Sequence, residues 1–263
     1  MFHFRILFTR VIIGWTEMNW GYMHVGGRSM NHYDNPEFFA AYAQMYRSQV
    51  GLQGAGEWHQ LRLLFPDVNG KDILDLGCGY GWHSKYAADM GARHVTGIDL
   101  SEKMIDEARK RNYHERIDYR VCSLIDWDYE PMAYDVVVSN LVLHYVENLD
   151  DVYRSIYTTL RPGGVFLMNI EHPTFTAGVN QQFAKDGAWP VDNYYYPGLR
   201  QTDFLGHTIT KYHHTLTQIL NGLIKAGFSL EAIEEVLPPE EWRDMMPDEM
   251  RRPMMLMVKA VKK

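Results

Sequence analysis

Five short apolar runs are separated by helical patterns through the middle of the chain. The runs cover residues 72–76, 94–99, 117–121, 134–139 and 165–170. Between them, apolar residues recur at helical spacing, as in the segment that stops at Gly91. Apolar strands that alternate with amphipathic helices form parallel sheets covered on both faces. The pattern therefore predicts a doubly wound α/β fold.

Local signals predict where several helices begin and end. Ser101 is expected to cap the helix after the second strand, with Glu102 in the first turn, where the helix dipole favours negative charge. A helix over residues 149–160 is expected to be broken by Arg161-Pro162-Gly163-Gly164. Residues 36–50 also carry a helical pattern, upstream of the first strand.

The chain after residue 172 has a different texture. Residues 173–212 are rich in Tyr, Gly, Pro and Asn, with short extended pieces such as residues 193–196. A stretch of this kind inside a compact domain is typical of a lid or binding loop. A helix over residues 215–226, a turn running into a strand over 230–237 and a closing strand over 254–261 follow it.

Composition narrows the class of partner. The 263 residues carry a net charge of −7 without a dense basic run, which argues against a nucleic-acid partner. Cys78 and Cys122 form neither a disulfide framework nor a metal-binding spacing, so we expect a reducing, cytoplasmic location. No apolar stretch reaches the about 20 residues that span a bilayer. No small-residue cleavage site follows the N-terminal apolar run, so a signal peptide is not expected.

A glycine-rich loop follows the first predicted strand, in the sequence Asp75-Leu76-Gly77-Cys78-Gly79-Tyr80-Gly81. Glycines allow a tight turn and bring backbone N–H groups close to a ligand, while the helix that follows favours negative charge at its start. Asp99 lies twenty-two residues after Gly77, at the end of the next strand. A carboxylate at that position can accept hydrogen bonds from both hydroxyls of a ribose.

The details of this loop separate two classes of nucleotide cofactor. A dinucleotide site prefers Gly-x-Gly-x-x-Gly, with a pyrophosphate at the helix start. Here the third glycine, Gly81, comes one residue early, and Asp75 lies two residues before the first glycine. An acid beside the loop repels a pyrophosphate but suits a cofactor that carries an ammonium group, as S-adenosylmethionine does.

These motifs resemble those of the class I S-adenosylmethionine-dependent methyltransferases. The similarity covers residues 73–81 and 97–101, the Tyr134-Asp135-Val136-Val137 sequence, residues 139–144 and residues 160–164. Glu171-His172-Pro173, Tyr212-His213 and residues 251–254 are similar to one bacterial subgroup of small, largely uncharacterised members. The resemblance implies a Rossmann-like, mostly parallel seven-stranded sheet with a lid inserted after the fifth strand. It also implies that the chain is an enzyme that uses S-adenosyl-L-methionine and releases S-adenosyl-L-homocysteine.

The resemblance also implies a division of the chain and a set of cofactor-binding residues. Residues 1–29 are an N-terminal extension, either poorly ordered or docked as an extra strand or helix. Residues 30–263 form one methyltransferase domain, with a helical cap (30–70), a cofactor-binding core (71–172), a lid or substrate insertion (173–214), and a C-terminal helix with closing strands (215–263). The implied ligands of the methionine end are Gly77, Cys78, Gly79, Gly81, Asn140 and, near its ammonium group, Asp75.

The resemblance places the ribose on Asp99 and the adenine near Leu100, Met104 and Ser123-Leu124. Ser123-Leu124 stands where the family often has Asp-Ala, so the adenine amino group is left to Ser123, to backbone or to water. For Met104, a place in the helix core is an equal alternative.

The acceptor is narrowed mainly by what the sequence lacks. The fourth strand is not followed by the Pro-Pro-aromatic signature of enzymes that methylate exocyclic amines of bases or amide nitrogens. No Pro-Cys lies at a strand end, which disfavours a covalent cysteine mechanism on pyrimidine carbons, and there is no three-cysteine cluster for radical chemistry. No Asp/Asp/Asn metal set is visible, so we expect no metal. What is left is a small-molecule acceptor methylated at oxygen or nitrogen, mostly by positioning, with a base only where the acceptor must lose a proton.

Candidate bases follow the predicted strands at the carboxyl edge of the sheet. They are His144 after the fourth strand, Glu171 and His172 after the fifth, and His213 at the end of the lid. Each histidine is also a common structural residue, and Tyr194-Tyr195-Tyr196 is either a stacking surface or a half-buried strand. Glu57-Trp58-His59, Trp82 and His83 are further candidates for the acceptor wall.

Two other functions stay open at this level. One is a protein that binds S-adenosylmethionine or S-adenosylhomocysteine without turnover. The other is an NAD-dependent oxidoreductase, against which the early third glycine and Asp75 both speak.

Overall fold

A computed structural model describes residues 31–263, so the predicted N-terminal extension lies outside the described residues. The strands are β1 (Asp72–Leu76), β2 (His94–Asp99), β3 (Ile117–Val121), β4 (Tyr134–Asn140), β5 (Leu160–Glu171), β6 (Gly198–Phe204), β7 (His207–His213), β8 (Phe228–Glu235) and β9 (Met255–Lys262). The helices are α1 (Pro36–Ala43), α2 (Tyr46–Val50), α3 (Trp58–Leu64), α4 (Trp82–Asp89), α5 (Glu102–Arg111), α6 (Leu149–Thr159), α7 (Pro173–Thr176) and α8 (Leu216–Ala226). No helix in this part of the chain is long and apolar enough to span a membrane.

Seven strands form one sheet in the order β3-β2-β1-β4-β5-β9-β8. The first five pair in parallel, and β9 is antiparallel to both β5 and β8. This arrangement confirms the predicted doubly wound, mostly parallel seven-stranded sheet. The strand order reverses between β1 and β4, and a ligand crevice is expected outside the carboxyl ends at such a point.

Alternate residues of the central strands face two separate apolar layers, as the period of a strand requires. Leu76 and Val137 pack in a large cluster with residues of α6 and α8. Ile73 and Val136 face the other way, in a cluster with residues of α4. Burial on both faces explains why these strands read as continuous apolar runs, and it fixes the carboxyl ends that carry the site.

Helix caps lie where the sequence predicts them. The Ser101 hydroxyl accepts a hydrogen bond from the backbone N–H of Met104 (3.1 Å) at the start of α5. Thr215 and Gln218 form a reciprocal capping box at the start of α8. Gly227, with φ +110°, ends α8 and leads directly into β8, which therefore begins at Phe228 without the predicted turn.

Two other boundaries differ from the prediction. The helical pattern over residues 36–50 is two helices, because Met45 has an extended backbone (φ −62°, ψ 142°) between them. Helix α6 ends at Thr159, but β5 begins at once and runs through Pro162, Gly163 and Gly164. A register shift between Tyr134 and Val136 of β4 accommodates this early start.

The lid region contains more regular structure than predicted, in a different place. β6 and β7 form a two-stranded antiparallel hairpin, joined by Leu205 and Gly206, which both have positive φ as a two-residue hairpin turn prefers. The predicted extended piece at residues 193–196 is a turn, closed by a hydrogen bond from Tyr196 N–H to Asn193 C=O (3.0 Å). Tyr195 and Tyr196 are 86% and 72% exposed, so the half-buried strand expected there is wrong.

Arg200 of β6 explains why residues 193–196 turn. Its side chain is only 5% exposed. Its guanidinium donates hydrogen bonds to the backbone carbonyls of Ala177, Asn193, Tyr196, Gly198 and Leu199. One buried cation therefore gathers the segment between α7 and the hairpin by giving these backbone carbonyls a common donor.

We expect Arg200→Met to loosen this segment, because five carbonyls each lose the hydrogen bond that the guanidinium donates. The free energy of unfolding in urea should fall by about 1–3 kcal/mol, and trypsin should cut faster at Lys185. Arg243→Met is the matched control, since Arg243 pairs only with Glu240 on the surface. Equal stability and equal cleavage of the two variants would contradict this account of Arg200.

Candidate active site

The glycine loop, residues 77–81, has its three glycines at positive φ: Gly77 at +67°, Gly79 at +53° and Gly81 at +78°. A Cβ added at Gly77 would lie 2.2 Å from Val142 Cγ2, and one at Gly81 would lie 2.3 Å from the Tyr119 hydroxyl. A Cβ at Gly79 would meet no atom of the described chain within 4 Å. Packing therefore requires glycine at the two ends of the loop, while the middle glycine borders open space that a ligand can enter.

Cys78 anchors the loop to the core. Its N–H donates to Ile98 C=O (2.9 Å), and its carbonyl accepts from Gly81 N–H (2.8 Å). Its side chain packs in an apolar cluster with residues of α5 and β3. Burial raises the pKa of the Cys78 thiol well above its usual range. The thiol therefore stays protonated, which indicates a structural role and not a reactive one.

Asp99 links the end of β2 to the loop. One carboxylate oxygen accepts from Gly79 N–H (3.0 Å) and the other from Ser101 N–H (2.9 Å). Each oxygen keeps further acceptor capacity, so both hydroxyls of a ribose can still be received there. Burial raises the pKa of Asp99 to about 6, and the carboxylate is ionised at neutral pH.

Asp75 lies buried in β1 and is hydrogen-bonded to the helix that follows the loop. It is 2% exposed, and its carboxylate accepts a hydrogen bond from the Ser84 hydroxyl of α4 (2.6 Å). Burial raises the pKa of Asp75 to about 6. This carboxylate therefore ties β1 to α4, beneath the glycine loop.

The residues expected near the adenine are split between surface and core. Leu100 is 38% exposed, whereas Met104 is 2% exposed and lies on the inner face of α5. The Ser123 hydroxyl accepts from Ile125 N–H (3.2 Å) and so shapes its own turn. Leu124 packs against the main apolar cluster. Of these four, Leu100 has the most side-chain surface to offer a ligand.

The helical segment before β1 covers the glycine loop. Tyr42 and Phe39 of α1 pack edge-on against Tyr80, with ring centroids 5.7 and 6.0 Å apart. A Cβ at Gly51 would lie 2.8 Å from the Trp82 ring, which shows how closely this segment approaches the start of α4. The helices before β1 thus form one wall of the candidate site.

A buried acid, Glu57, connects this wall to the sheet. It is 1% exposed, and one of its oxygens accepts from Arg47 (2.6 Å) and from the Asn140 amide (3.2 Å). Asn140 in turn accepts from Asn169 of β5 (2.8 Å). The other oxygen, Oε2, has no hydrogen-bond partner among residues 31–263. Burial opposes ionisation of Glu57, but Arg47 and the hydrogen bonds outweigh it and leave its pKa below the ordinary value.

His144, Glu171 and Lys211 form a second buried polar group, which we call the acceptor cluster. Lys211 of β7 donates to Glu171 Oε1 (2.5 Å), and His144 Nε2 lies 4.0 Å from the same oxygen. All three side chains are buried, and Glu171 Oε2 and His144 Nδ1 have no partner within the described chain. Burial lowers the pKa of His144 to about 4, so its imidazole is neutral at pH 7.

Aromatic side chains enclose the acceptor cluster and join it to the glycine loop. The Lys211 ammonium lies 5.8 and 6.0 Å from the ring centroids of Phe175 and Phe204. The Tyr145 ring packs at a tilt against that of His144, with centroids 4.3 Å apart, and its hydroxyl lies 3.2 Å from that of Tyr33. Tyr33 packs against Tyr42, the residue that contacts Tyr80 of the loop. An apolar enclosure around a few polar groups is the usual form of a small-molecule site.

The other two candidate bases have both ring nitrogens engaged. His172 Nδ1 accepts from Thr174 N–H (3.1 Å), and its Nε2 lies 3.1 Å from Glu235 Oε1. His213 bonds the Thr176 hydroxyl (2.7 Å) and Tyr194 C=O (2.9 Å). These contacts hold α7 and the residue 193–196 turn in place. The structure brings together His144 and Glu171 and gives His172 and His213 bonds that a base would have to break.

Several residues of the site were not singled out by the sequence. They are Tyr33, Tyr42, Arg47, Tyr145 and Lys211. Lys211 had a usable signal, because Ile209, Lys211 and His213 alternate along β7 and are all buried, a period-two pattern that places the lysine on the inner face. For the metal prediction, residues 31–263 contain no group of three or more His, Cys, Asp or Glu side chains that could hold an ion.

Comparison with known proteins identifies the class. A methyltransferase-domain family model matches residues 74–168. The chain is 44% identical to a protein of known structure from Listeria monocytogenes, described as an S-adenosylmethionine dependent methyltransferase, over 81% of this chain and 99% of that one, with a TM-score of 0.76. An S-adenosylmethionine dependent methyltransferase from Mesorhizobium loti is 39% identical over 81% and 100% of the two chains, with a TM-score of 0.75.

The chain therefore belongs to the S-adenosylmethionine-dependent methyltransferases, and the predicted enzyme class and cofactor are confirmed. The NAD-dependent alternative loses its support. N-demethylindolmycin N-methyltransferase from Streptomyces griseus is a further relative, 29% identical over 180 residues that make up 65% of this chain and 75% of that protein.

We expect Asp75→Asn to change how stability depends on pH. Because burial raises the folded-state pKa of Asp75 from 3.8 to about 6, its ionised form costs stability above pH 6, and this cost disappears below pH 4. The free energy of unfolding of Asp75→Asn minus that of wild type should therefore be about 2–3 kcal/mol larger at pH 7 than at pH 4, so that the substitution is more stabilising at the higher pH. Urea denaturation across that pH range measures the difference.

The matched control is Asp118→Asn, an exposed aspartate of β3 paired with Arg120. It should show no comparable trend between pH 7 and pH 4. A pH-independent difference for Asp75→Asn would mean that Asp75 is not buried as the structure has it.

Proposed function

We propose that this methyltransferase methylates a hydroxyl oxygen or an amine nitrogen of a small-molecule acceptor bound over the acceptor cluster. The observation that carries the proposal is the pair of unused acceptor atoms, Glu171 Oε2 and His144 Nδ1, buried together at the carboxyl ends of β4 and β5. Buried polar atoms normally have partners. An acceptor that donates an O–H or N–H would satisfy them.

The residues around the glycine loop fit the cofactor. The open side of Gly79 admits a ligand at the backbone, Asp99 has the capacity to receive the ribose, and Asn140 lies beside the loop because its neighbour Ser139 pairs with Leu76 of β1. We assign Gly77, Gly79 and Gly81 to the methionine side, with Cys78 and Asp75 supporting the loop from below. Leu100 is assigned to the adenine face, with Ser123, Leu124 and Met104 behind it.

The bound cofactor supplies an activated methyl group on a sulfonium, so the chain's own task is to position the nucleophile and to take its proton. His144 is neutral at pH 7 and can accept that proton. Glu171 lies beside it and stabilises the imidazolium that results. Lys211 holds Glu171 in place, and the surrounding rings exclude water.

The lid assignment follows from the same contacts. Residues 173–214 supply Phe175, Phe204 and Lys211 to the enclosure, and residues 30–70 supply Tyr33 and Tyr42. We propose that the insertion and the helical cap together shape the acceptor pocket, with residues 71–172 holding the cofactor and residues 215–263 completing the sheet. The Streptomyces griseus relative is named for N-methylation of a small molecule, which supports nitrogen as one acceptor atom.

Cofactor binding gives the first check. Asp99→Ala should weaken S-adenosylhomocysteine binding by about 1–3 kcal/mol, because the ribose hydroxyls lose a buried acceptor. Gly79→Val should abolish it, since the side chain would fill the open space beside the loop. Isothermal titration calorimetry measures both, with Asp118→Ala as an exposed control. Wild-type affinity in the first two variants would overturn the cofactor assignment.

Turnover gives the second check. The full-length chain is incubated with S-adenosylmethionine carrying a deuterated methyl group and a bacterial small-molecule extract, and mass spectrometry identifies the labelled product. His144→Phe should lower the rate about 100-fold or more, the usual contribution of a general base, and leave cofactor affinity unchanged. His94→Phe, at an exposed position of β2, is the matched control. No labelled small molecule, or full turnover in His144→Phe, would contradict the proposal.

A further inference from the structure

We infer that Arg47 and Glu57 form a clamp for the amino-acid end of the cofactor. Glu57 Oε2 receives the ammonium group, and the free edge of the Arg47 guanidinium receives the carboxylate. This inference rests on the proposed placement of the cofactor across the glycine loop. It assigns a binding role to two residues of the helical segment before β1, which share no motif with the loop.

The first argument is the state of Glu57. Its side chain is 2% exposed, yet Oε2 has no hydrogen-bond partner among residues 31–263. A buried ionised oxygen without a partner is costly, and a buried ion pair adds little net stability over an apolar pair of the same shape. The arrangement is therefore better explained by a ligand that completes it than by folding alone.

The second argument is the position of the pair. Glu57 accepts from Asn140 (3.2 Å), the last residue of β4. The preceding residue, Ser139, pairs with Leu76 of β1, so Asn140 is level with the first glycine of the loop. Glu57 consequently lies where β1 and β4 diverge, at the point where the fold opens its ligand crevice.

The third argument is that the alternative carboxylate, Asp75, already accepts a hydrogen bond within the chain, whereas Glu57 has an oxygen with no partner among residues 31–263. The sequence assigned the ammonium group to Asp75, but that carboxylate bonds Ser84 below the loop. Glu57 is the buried carboxylate with a free oxygen on the side of the helical wall. Burial raises the pKa of Tyr42, and the charges of Arg47, Asp99 and Glu57 also act on it. All three charged side chains therefore lie near this tyrosine.

The fourth argument is the donor geometry of Arg47. Within the described chain, the only hydrogen bond of the Arg47 side chain runs from one terminal nitrogen to Glu57. The side chain is 24% exposed. A guanidinium has five N–H donors in a planar fork that matches a carboxylate. A zwitterionic ligand presents one ammonium and one carboxylate, which is the inverse of the Arg47–Glu57 pair.

Binding of four adenosine ligands to the 263-residue chain separates the two roles. S-adenosylhomocysteine carries the whole amino-acid end, and 5′-methylthioadenosine lacks it. Decarboxylated S-adenosylmethionine keeps the ammonium group and lacks the carboxylate, so it is compared with S-adenosylmethionine. Isothermal titration calorimetry with wild type, Arg47→Met, Glu57→Gln and Arg62→Met gives the affinities; Arg62 is an exposed arginine of α3 and serves as control.

Arg47→Met and Glu57→Gln should each weaken S-adenosylhomocysteine binding about tenfold or more, the loss of one charge-assisted hydrogen bond. Both variants should bind 5′-methylthioadenosine as wild type does, which also shows that the loop is folded. Glu57→Gln should weaken decarboxylated S-adenosylmethionine as well, whereas Arg47→Met should not. Arg62→Met should match wild type throughout.

Two results overturn the inference while leaving the proposed function intact. One is unchanged S-adenosylhomocysteine affinity in both variants. The other is an equal loss for S-adenosylhomocysteine and 5′-methylthioadenosine, which would mean that the pair only supports the loop. If wild type binds neither S-adenosylmethionine nor S-adenosylhomocysteine, the proposed function and the clamp fail together.

Discussion

The parallel pairing of β1 with both β2 and β4 is the constraint on which the rest of the site depends. Because β1 is buried on both faces and flanked on both sides, its carboxyl end is held in one place. The chain leaves there through the glycine loop, with Asp99 on one side and Asn140 on the other. The donor and acceptor sites can therefore lie next to each other without any further domain.

Buried charge accounts for the chemistry proposed at this edge. Two acid–base pairs, Glu57 with Arg47 and Glu171 with Lys211, join the sheet to segments outside the core; the first reaches the sheet through Asn140 of β4, and the second includes Glu171 of β5 itself. Each pair leaves one carboxylate oxygen without a partner in the described part of the chain. Low polarity around them strengthens any hydrogen bond that a ligand makes. In the proposed function the helical cap and the lid bring these charges to the acceptor pocket, and aromatic rings lie around the Lys211 ammonium.

The sequence predicted the parts of the site that are local. Gly77, Gly79, Gly81 and Asp99 follow strands whose period is plain, and Ser101 caps its helix as expected. The sequence did not predict Lys211 and Arg47 as site residues, because their partners lie 40 and 10 residues away in segments whose packing no local pattern encodes. The turn at residues 193–196 escaped for the same reason, since Arg200 draws those carbonyls together from a strand that was not foreseen. Asp75 was placed by spacing alone, and no local pattern indicated the hydrogen bond that the Ser84 hydroxyl donates to its carboxylate.

A crystal structure of the chain with S-adenosylhomocysteine bound tests the account most directly. The account predicts the ribose on Asp99, the sulfur between Gly79 and Asn140, and the amino-acid end against Glu57 and Arg47, with the sulfur facing His144 and Glu171. The account is contradicted if the ligand lies in the cleft at the opposite edge of the sheet, lined by Asp72, Arg93 and Tyr134, or if its sulfur points away from the acceptor cluster.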